Sequence, residues 1–224
     1  MYPTTFHQPS TQRVTRAIVA AVDKAVDAEW VNARARAATI PGRTVRDKVD
    51  NLARSFAREL GTVGAVTGAV AAVPTLGTAS AISAGAAELG YFTIRASELI
   101  LTIAALHGHT GSTSDERRAW ILSILVFGNA AAEGFTRLAA ESSRRLGFAG
   151  AVRLPVTAIR SINSSMGRTI ITKYGRRRAA VGLGTAMPFG IGAVVGATAN
   201  YAGTKALARH AHKFFSKLPP AIAS

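Results

Sequence analysis

The sequence predicts an all-α fold: a single helical domain with two small-residue, Pro-interrupted helical hairpins in its core. Three observations predict it. Apolar residues recur every three or four positions along most of the chain, with little strict alternation, so strand signals are weak. Two stretches, 61–87 and 179–204, carry no charged residue, are rich in Gly and Ala, and are each interrupted by a proline. Helix-start and helix-stop signals fall where the apolar periods begin and end. The 224 residues suffice for one sizeable domain. The expected organisation is an N-terminal amphipathic helix region at 1–44, packed on a helical domain at 45–218.

In chain order, 11–38 reads as a helix. Val14, Ile18, Val22, Val26 and Trp30 repeat every four residues, Ser10 or Thr11 can cap the start, and Pro41-Gly42 stops it. Thr44 and Asp47 stand at capping distance and open a second helix, expected to reach about Leu60 on the stripe Val45, Val49, Leu52, Phe56 and Leu60. The charge-free stretch 61–87 follows, with Gly64 and Gly68 spaced four apart and Pro74 near its middle. A spanning helix needs about 20 apolar residues, and Pro74 leaves halves too short for that. Two readings stay open: a hairpin buried in a protein core, and a hairpin that dips into one leaflet of a bilayer.

From Glu88 to Leu106 the pattern is helical again, with Arg95 and Glu98 three apart and able to pair. A structural ion pair is the expected reading of these charges, ahead of a proton-handling site. A loop at 107–112 leads to Thr113 and Glu116, a capping box. The next helix is expected to run unbroken towards Arg145, with Trp120, Ile121, Ile124, Phe127, Phe135 and Leu138 in its core and Gly128 and Gly134 admitting close neighbours. Pro155 opens another, with Ile159, Ile162 and Met166 among its apolar positions.

In the last charge-free stretch Pro188, Gly192, Gly196, Asn200 and Thr204 recur every fourth residue, which lays them along one helix face. Its glycines at 190, 192, 196 and 203 cost about 3–4 kcal/mol of helix propensity, which close packing of backbones must offset. Residues 206–215 continue helically, and Pro219-Pro220 ends them.

Charge is divided unevenly. Up to Glu141, 14 Lys and Arg stand against all 12 acidic residues, leaving +2; from Ser142 on, 13 Lys and Arg meet no acid, leaving +13. Such asymmetry points to an anionic partner. Lys205, Arg209, Lys213 and Lys217 recur every four residues, with Leu207, Phe214 and Leu218 elsewhere on the helix, a pattern that suits a lipid surface. Nucleic acid is the second candidate, but Tyr174 is the one aromatic beside Arg176, Arg177 and Arg178, where a single-strand binder interleaves several.

No catalytic constellation is legible. Gly190, Gly192 and Gly196 lack the preceding strand that a nucleotide-binding turn requires. There is neither a phosphate loop nor a nucleophile elbow. With no cysteine there is no disulfide framework, which fits a reducing cytoplasm. The segment 1–12 lacks the pattern of a secretory signal. His107 with His109, and His210 with His212, form two His-x-His pairs without an acid at a telling distance, so metal binding is not expected.

Met187-Pro188-Phe189-Gly190, then Gly192, Gly196, Asn200-Tyr201 and His212-Lys213-Phe214-Phe215, resemble the C-terminal signature of the EcsC family. The run from Glu98 to Gly108 and the Asp115-Glu116-Arg117 helix start are similar to the family's middle, so the resemblance spans roughly 45–215. It implies a helical fold, a bacterial setting and an association with membrane transport and secretion, and brings no accepted enzymatic reaction. The expected function is therefore non-enzymatic, without a cofactor, at the cytoplasmic membrane surface. The expected partners are an anionic membrane surface and a transport or secretion component. Lys173, Arg176, Arg177, Arg178, Lys205, Arg209, Lys213 and Lys217 are the candidate lipid contacts. Pro188, Gly192, Gly196, Asn200, Gly64 and Gly68 are the candidate helix-packing positions.

Overall fold

The apolar stripes read from the sequence turn inward where their side chains are described, except at Val45, which is exposed at the start of the second stripe. The computed structural model describes residues 9–71, 78–145, 156–166 and 191–218, with the backbone alone over 9–18, 61–71, 78–90 and 191–200 and at 143. The elements are α1 (Pro9–Thr39), α2 (Val45–Ala71), α3 (Thr78–Leu106), α4 (Ser114–Phe127), a 3₁₀ turn (Gly128–Ala130), α5 (Ala131–Arg145), α6 (156–166) and α7 (Ile191–Lys217). No strand occurs among the described residues, so the fold is all-α. Pro188 and Pro74, which would shape the two hairpins, lie outside the described residues.

α3 is the central element. Leu99 to Ala104 are buried all round, as expected of a helix enclosed by others. α1 packs on it through Val22, Val26, Trp30 and Ala33, while α2 packs chiefly on α7. The second helix does not stop at Leu60 as expected. It continues to Ala71, because Gly61, Gly64 and Gly68 lower helix propensity without breaking the hydrogen-bond ladder. Its start is as read: the Thr44 amide donates to Asp47 Oδ2 at 3.0 Å and the Asp47 amide to Thr44 Oγ1 at 3.1 Å.

The expected single helix from Thr113 to Arg145 is two. The capping box forms, with the Thr113 amide donating to Glu116 Oε2 at 2.7 Å and the Glu116 amide to Thr113 Oγ1 at 3.3 Å. At Gly128 the backbone turns to φ +56°, ψ −118°, which favours glycine and ends α4. A Cβ at Gly128 would also stand 3.4 Å from the His210 ring. At Gly134 a Cβ would lie 2.6 Å from the Phe127 ring. Gly134→Ala should therefore lower the melting temperature, although alanine is the better helix former. Overpacking at about 1–3 kcal/mol outweighs a propensity gain of about 0.8–1 kcal/mol. A rise in thermal unfolding temperature would show that the Phe127 ring swings aside without cost.

Helix directions follow from pairs of contacts. Asp27 meets Arg117 just beyond the end of α3, and Arg36 meets Glu98, so α1 runs against α3. Glu59 meets Arg95. Were α2 parallel to α3, Ala71 and Thr78 would stand about 44 Å apart along the axes. The six residues 72–77 reach about 25 Å at most, so α2 is antiparallel to α3. His212 near the end of α7 touches His107 at the end of α3. Since α7 also packs along α2, it must run with α3 and against α2. The charge-free parts of α2, α3 and α7 thus lie at one end of the bundle.

Candidate functional site

The cation stripe of α7 is less free than its spacing suggests. Lys217 Nζ bonds Glu133 Oε1 at 2.6 Å, and Lys213 Nζ bonds the Asn129 carbonyl and Oδ1, each at 3.2 Å. The turn at Gly128 brings Asn129 and Glu133 opposite these lysines. The Lys217 ammonium holds the Glu133 carboxyl below its usual range through that hydrogen bond. Arg209 is exposed, and Lys205 sits with its ammonium 5.5 Å from the Tyr201 ring centre. Lys173, Arg176, Arg177, Arg178 and Pro188 lie outside the described residues. Gly64 and Gly68 sit on α2, and Gly192, Gly196 and Asn200 on α7, in the segments that the antiparallel pairing brings alongside each other.

Phe214 and Phe215, read from sequence as ending an amphipathic surface helix, are core residues, each 1% exposed. Adjacent residues on a helix diverge by about 100°, and each ring has its own partner. Phe214 meets Phe135 edge-on at 5.7 Å, and Phe215 meets Trp120 edge-on at 5.4 Å.

Around Phe215 the pair His107 and His109 meets His212, while His210 turns to Gly128. His107 Nε2 lies 3.0 Å from His212 Nδ1, across 105 residues of sequence. His109 is buried with its ring 5.4 Å from Phe215 and 5.5 Å from Trp120. Burial, with the positive charge of His212 and His109 as smaller causes, pushes His107 down to about 4. Burial also lowers His109, opposed by a hydrogen bond to the Phe215 backbone. His210 is lowered too, by burial and then by Arg209 and Lys213. His107 and His109 therefore favour the neutral imidazole, and the tautomers set which ring donates in the His107–His212 contact. Among the described residues no group of three His, Asp or Glu is placed to hold a metal ion.

Two ionic networks tie the helices together. In the first, Glu98 is buried and meets Arg36 of α1 at 3.3 Å and Arg95 of its own helix, while Arg95 reaches Glu59 of α2 at 2.6 Å. The Arg36 and Arg95 guanidinium groups stand 4.6 and 4.7 Å from the Phe56 ring centre. Burial pushes the Glu98 carboxyl up, and Arg95 and Arg36 pull against it. The i,i+3 pair was legible in the sequence; Arg36, Glu59 and Phe56 were not. In the second network buried Arg117 bonds Asp27 at 2.7 Å, the Val26 carbonyl at 3.2 Å and the Ser112 carbonyl, and faces the Trp30 ring at 5.0 Å. Hydrogen bonds from Ser114 and Arg117 hold Asp27 below its usual range. α6 is tied to the start of α4 by Arg160–Asp115 at 3.1 Å and by Asn163 donating to the Asp115 carbonyl at 3.1 Å. These charges are paired with one another across helices, which is the arrangement of structural ion pairs.

One described stretch, Ser114–Ser142, is long and apolar enough to cross a membrane by length and composition. It is interrupted at Gly128, and 56% of its most apolar window is buried inside the fold, as in a core helix. An open depression of about 460 Å³ beside α5, lined by Glu133, Thr136, Arg137 and Lys217, presents no nucleophile–base pair.

What these helices define is an all-α protein bound together by buried aromatic and ionic contacts, with a charge-free end and a basic C-terminal half. The chain belongs to the EcsC protein family, whose family model matches residues 1–217 and so takes in α1 as well. No curated protein and no solved structure matches it.

Proposed function

We propose that this protein is a non-enzymatic factor that works at the cytoplasmic face of the membrane, held there by its basic C-terminal half. On this reading it serves as an accessory to transport or secretion. One observation carries it: the 13 Lys and Arg after Glu141 meet no acidic residue within their own half of the sequence. Glu133 and Asn129 engage Lys217 and Lys213, so Lys173, Arg176, Arg177, Arg178, Lys205 and Arg209 are the cations assigned to headgroups. Near an anionic bilayer each contributes about 1 kcal/mol, and the attraction decays within a Debye length. Five of them facing one surface would supply about 5 kcal/mol.

The test is co-flotation with acidic liposomes at rising salt, against labelled DNA and RNA as competitors. Binding to acidic but not to neutral vesicles at low salt is the expected result, weakened by charge reversal at Arg176, Arg177 and Arg178. A protein that ignores the vesicles but holds nucleic acid, with affinity falling log-linearly in salt, would instead be a nucleic-acid binder.

A further inference from the structure

We propose that the charge-free end of the bundle enters one leaflet of an anionic bilayer, down to a rim marked by Tyr91 and Tyr201. This rests on the membrane-surface reading above and gives it a depth and an orientation.

The helix directions place 61–71 of α2, 78–87 of α3 and 191–204 of α7 at the same end. None of these segments contains a charged residue; on α3 the first charge is Glu88, one turn short of Tyr91, which sets the headgroup level on that helix. α1 ends at Thr39, one turn beyond Arg36, and supplies no further cover. The segments are too short to span about 30 Å of hydrocarbon, but 61–71 is about 16 Å long and Ile191 lies about 15 Å above Tyr201, close to half that thickness.

The rim has the order expected of a chain entering lipid from water. Tyr91 on α3 and Tyr201 on α7 are exposed, at 39% and 37%. Tyrosine favours the headgroup level, where its ring meets lipid and its hydroxyl meets water. One turn further from the charge-free end on α7 comes a cation, Lys205, whereas Arg95 of α3 is taken up by Glu98 and Glu59. The Lys205 ammonium stands 5.5 Å from the Tyr201 ring centre, so the cation and the aromatic ring meet at this level.

The chain has no cysteine, so single labels can be placed without removing any residue first. Ser80→Cys on α3 and Thr198→Cys on α7 carry an environment-sensitive fluorophore, and Val31→Cys, on the exposed side of α1, is the aqueous reference. Each is mixed with vesicles of anionic and zwitterionic phospholipid brominated in mid-chain, after circular dichroism has shown the native helical spectrum. The expected result is a blue shift and bromine quenching at 80 and 198, neither at 31. Flotation should persist at roughly 1 M salt, where the Debye length is about 3 Å. Vesicle-bound protein whose labels at 80 and 198 stay aqueous overturns insertion and leaves the surface reading standing. Quenching at one position alone also overturns it, since the segments must enter together. Failure to float even at low salt overturns both readings.

Discussion

Glu98→Ala should be among the most destabilising single substitutions in this protein, costing about 3–5 kcal/mol, the usual cost of removing one partner from a buried ion pair. The carboxylate is 3% exposed and lies between Arg36 of α1 and Arg95 of α3. Its removal leaves Arg95, itself 16% exposed, with Glu59 alone to balance it, and unties α1 from α3. In a domain of this size 1 kcal/mol is about 2–4 °C, so the melting temperature should fall by about 6–20 °C. Glu141→Ala breaks the exposed pair with Arg145 and should change stability by less than about 0.5 kcal/mol. Equal losses in the two variants would mean that the Glu98 network holds nothing together. A well-packed replacement of the whole network is a different experiment, because exchanging a buried ionic cluster for apolar groups is often neutral.

Acid should loosen the fold through the histidine cluster. His107 binds its proton at about pH 4 when folded and near 6.5 when unfolded. Between those values the unfolded chain holds a proton that the folded chain does not. Stability contributed by His107 is therefore complete above pH 6.5 and is lost as pH falls towards 4. The size is about 3 kcal/mol. His109 and His210 are shifted in the same direction. Glu98 acts oppositely: its raised value makes its contribution greatest at low pH and smaller as pH rises through its folded value. Urea unfolding of wild type and His107→Gln at several pH values separates the two. The difference in stability between them should shrink from pH 7 to pH 4. A difference constant across that range would mean that His107 is not held neutral by its surroundings.

The contrast between what was legible and what was not has a physical cause. Helix stripes and caps are local, and Thr44 with Asp47, Thr113 with Glu116, and Leu52 with Phe56 follow from spacing alone. Gly134 was readable as a close contact because no other residue type leaves that space. The break at Gly128 was not, since an isolated glycine in an apolar helix is compatible with continuation. Partners distant in sequence were also hidden. Nothing in the spacing of His107 points to His212, or of Arg36 to Glu98, and Lys213 and Lys217 look solvated until Asn129 and Glu133 are set opposite them. Phe214 and Phe215 were misjudged for the same reason: the residues that enclose them, Phe135 and Trp120, lie on helices formed about 80 and 95 residues earlier.

The pairing of α2 with α7 also fixes an order of events during synthesis. The apolar face of α2, with Leu52, Phe56 and Leu60, finds its main neighbour only when α7 emerges, 120 residues after Ala71. At about 5–20 residues per second that is a wait of about 6–24 s. α1 is better placed, since α3 follows it within the first half of the chain. The nascent protein thus passes through a stage with α1 and α3 joined and the glycine-bearing helix α2 still uncovered. At that stage its apolar surface is open to whatever a ribosome close to a membrane or a chaperone presents.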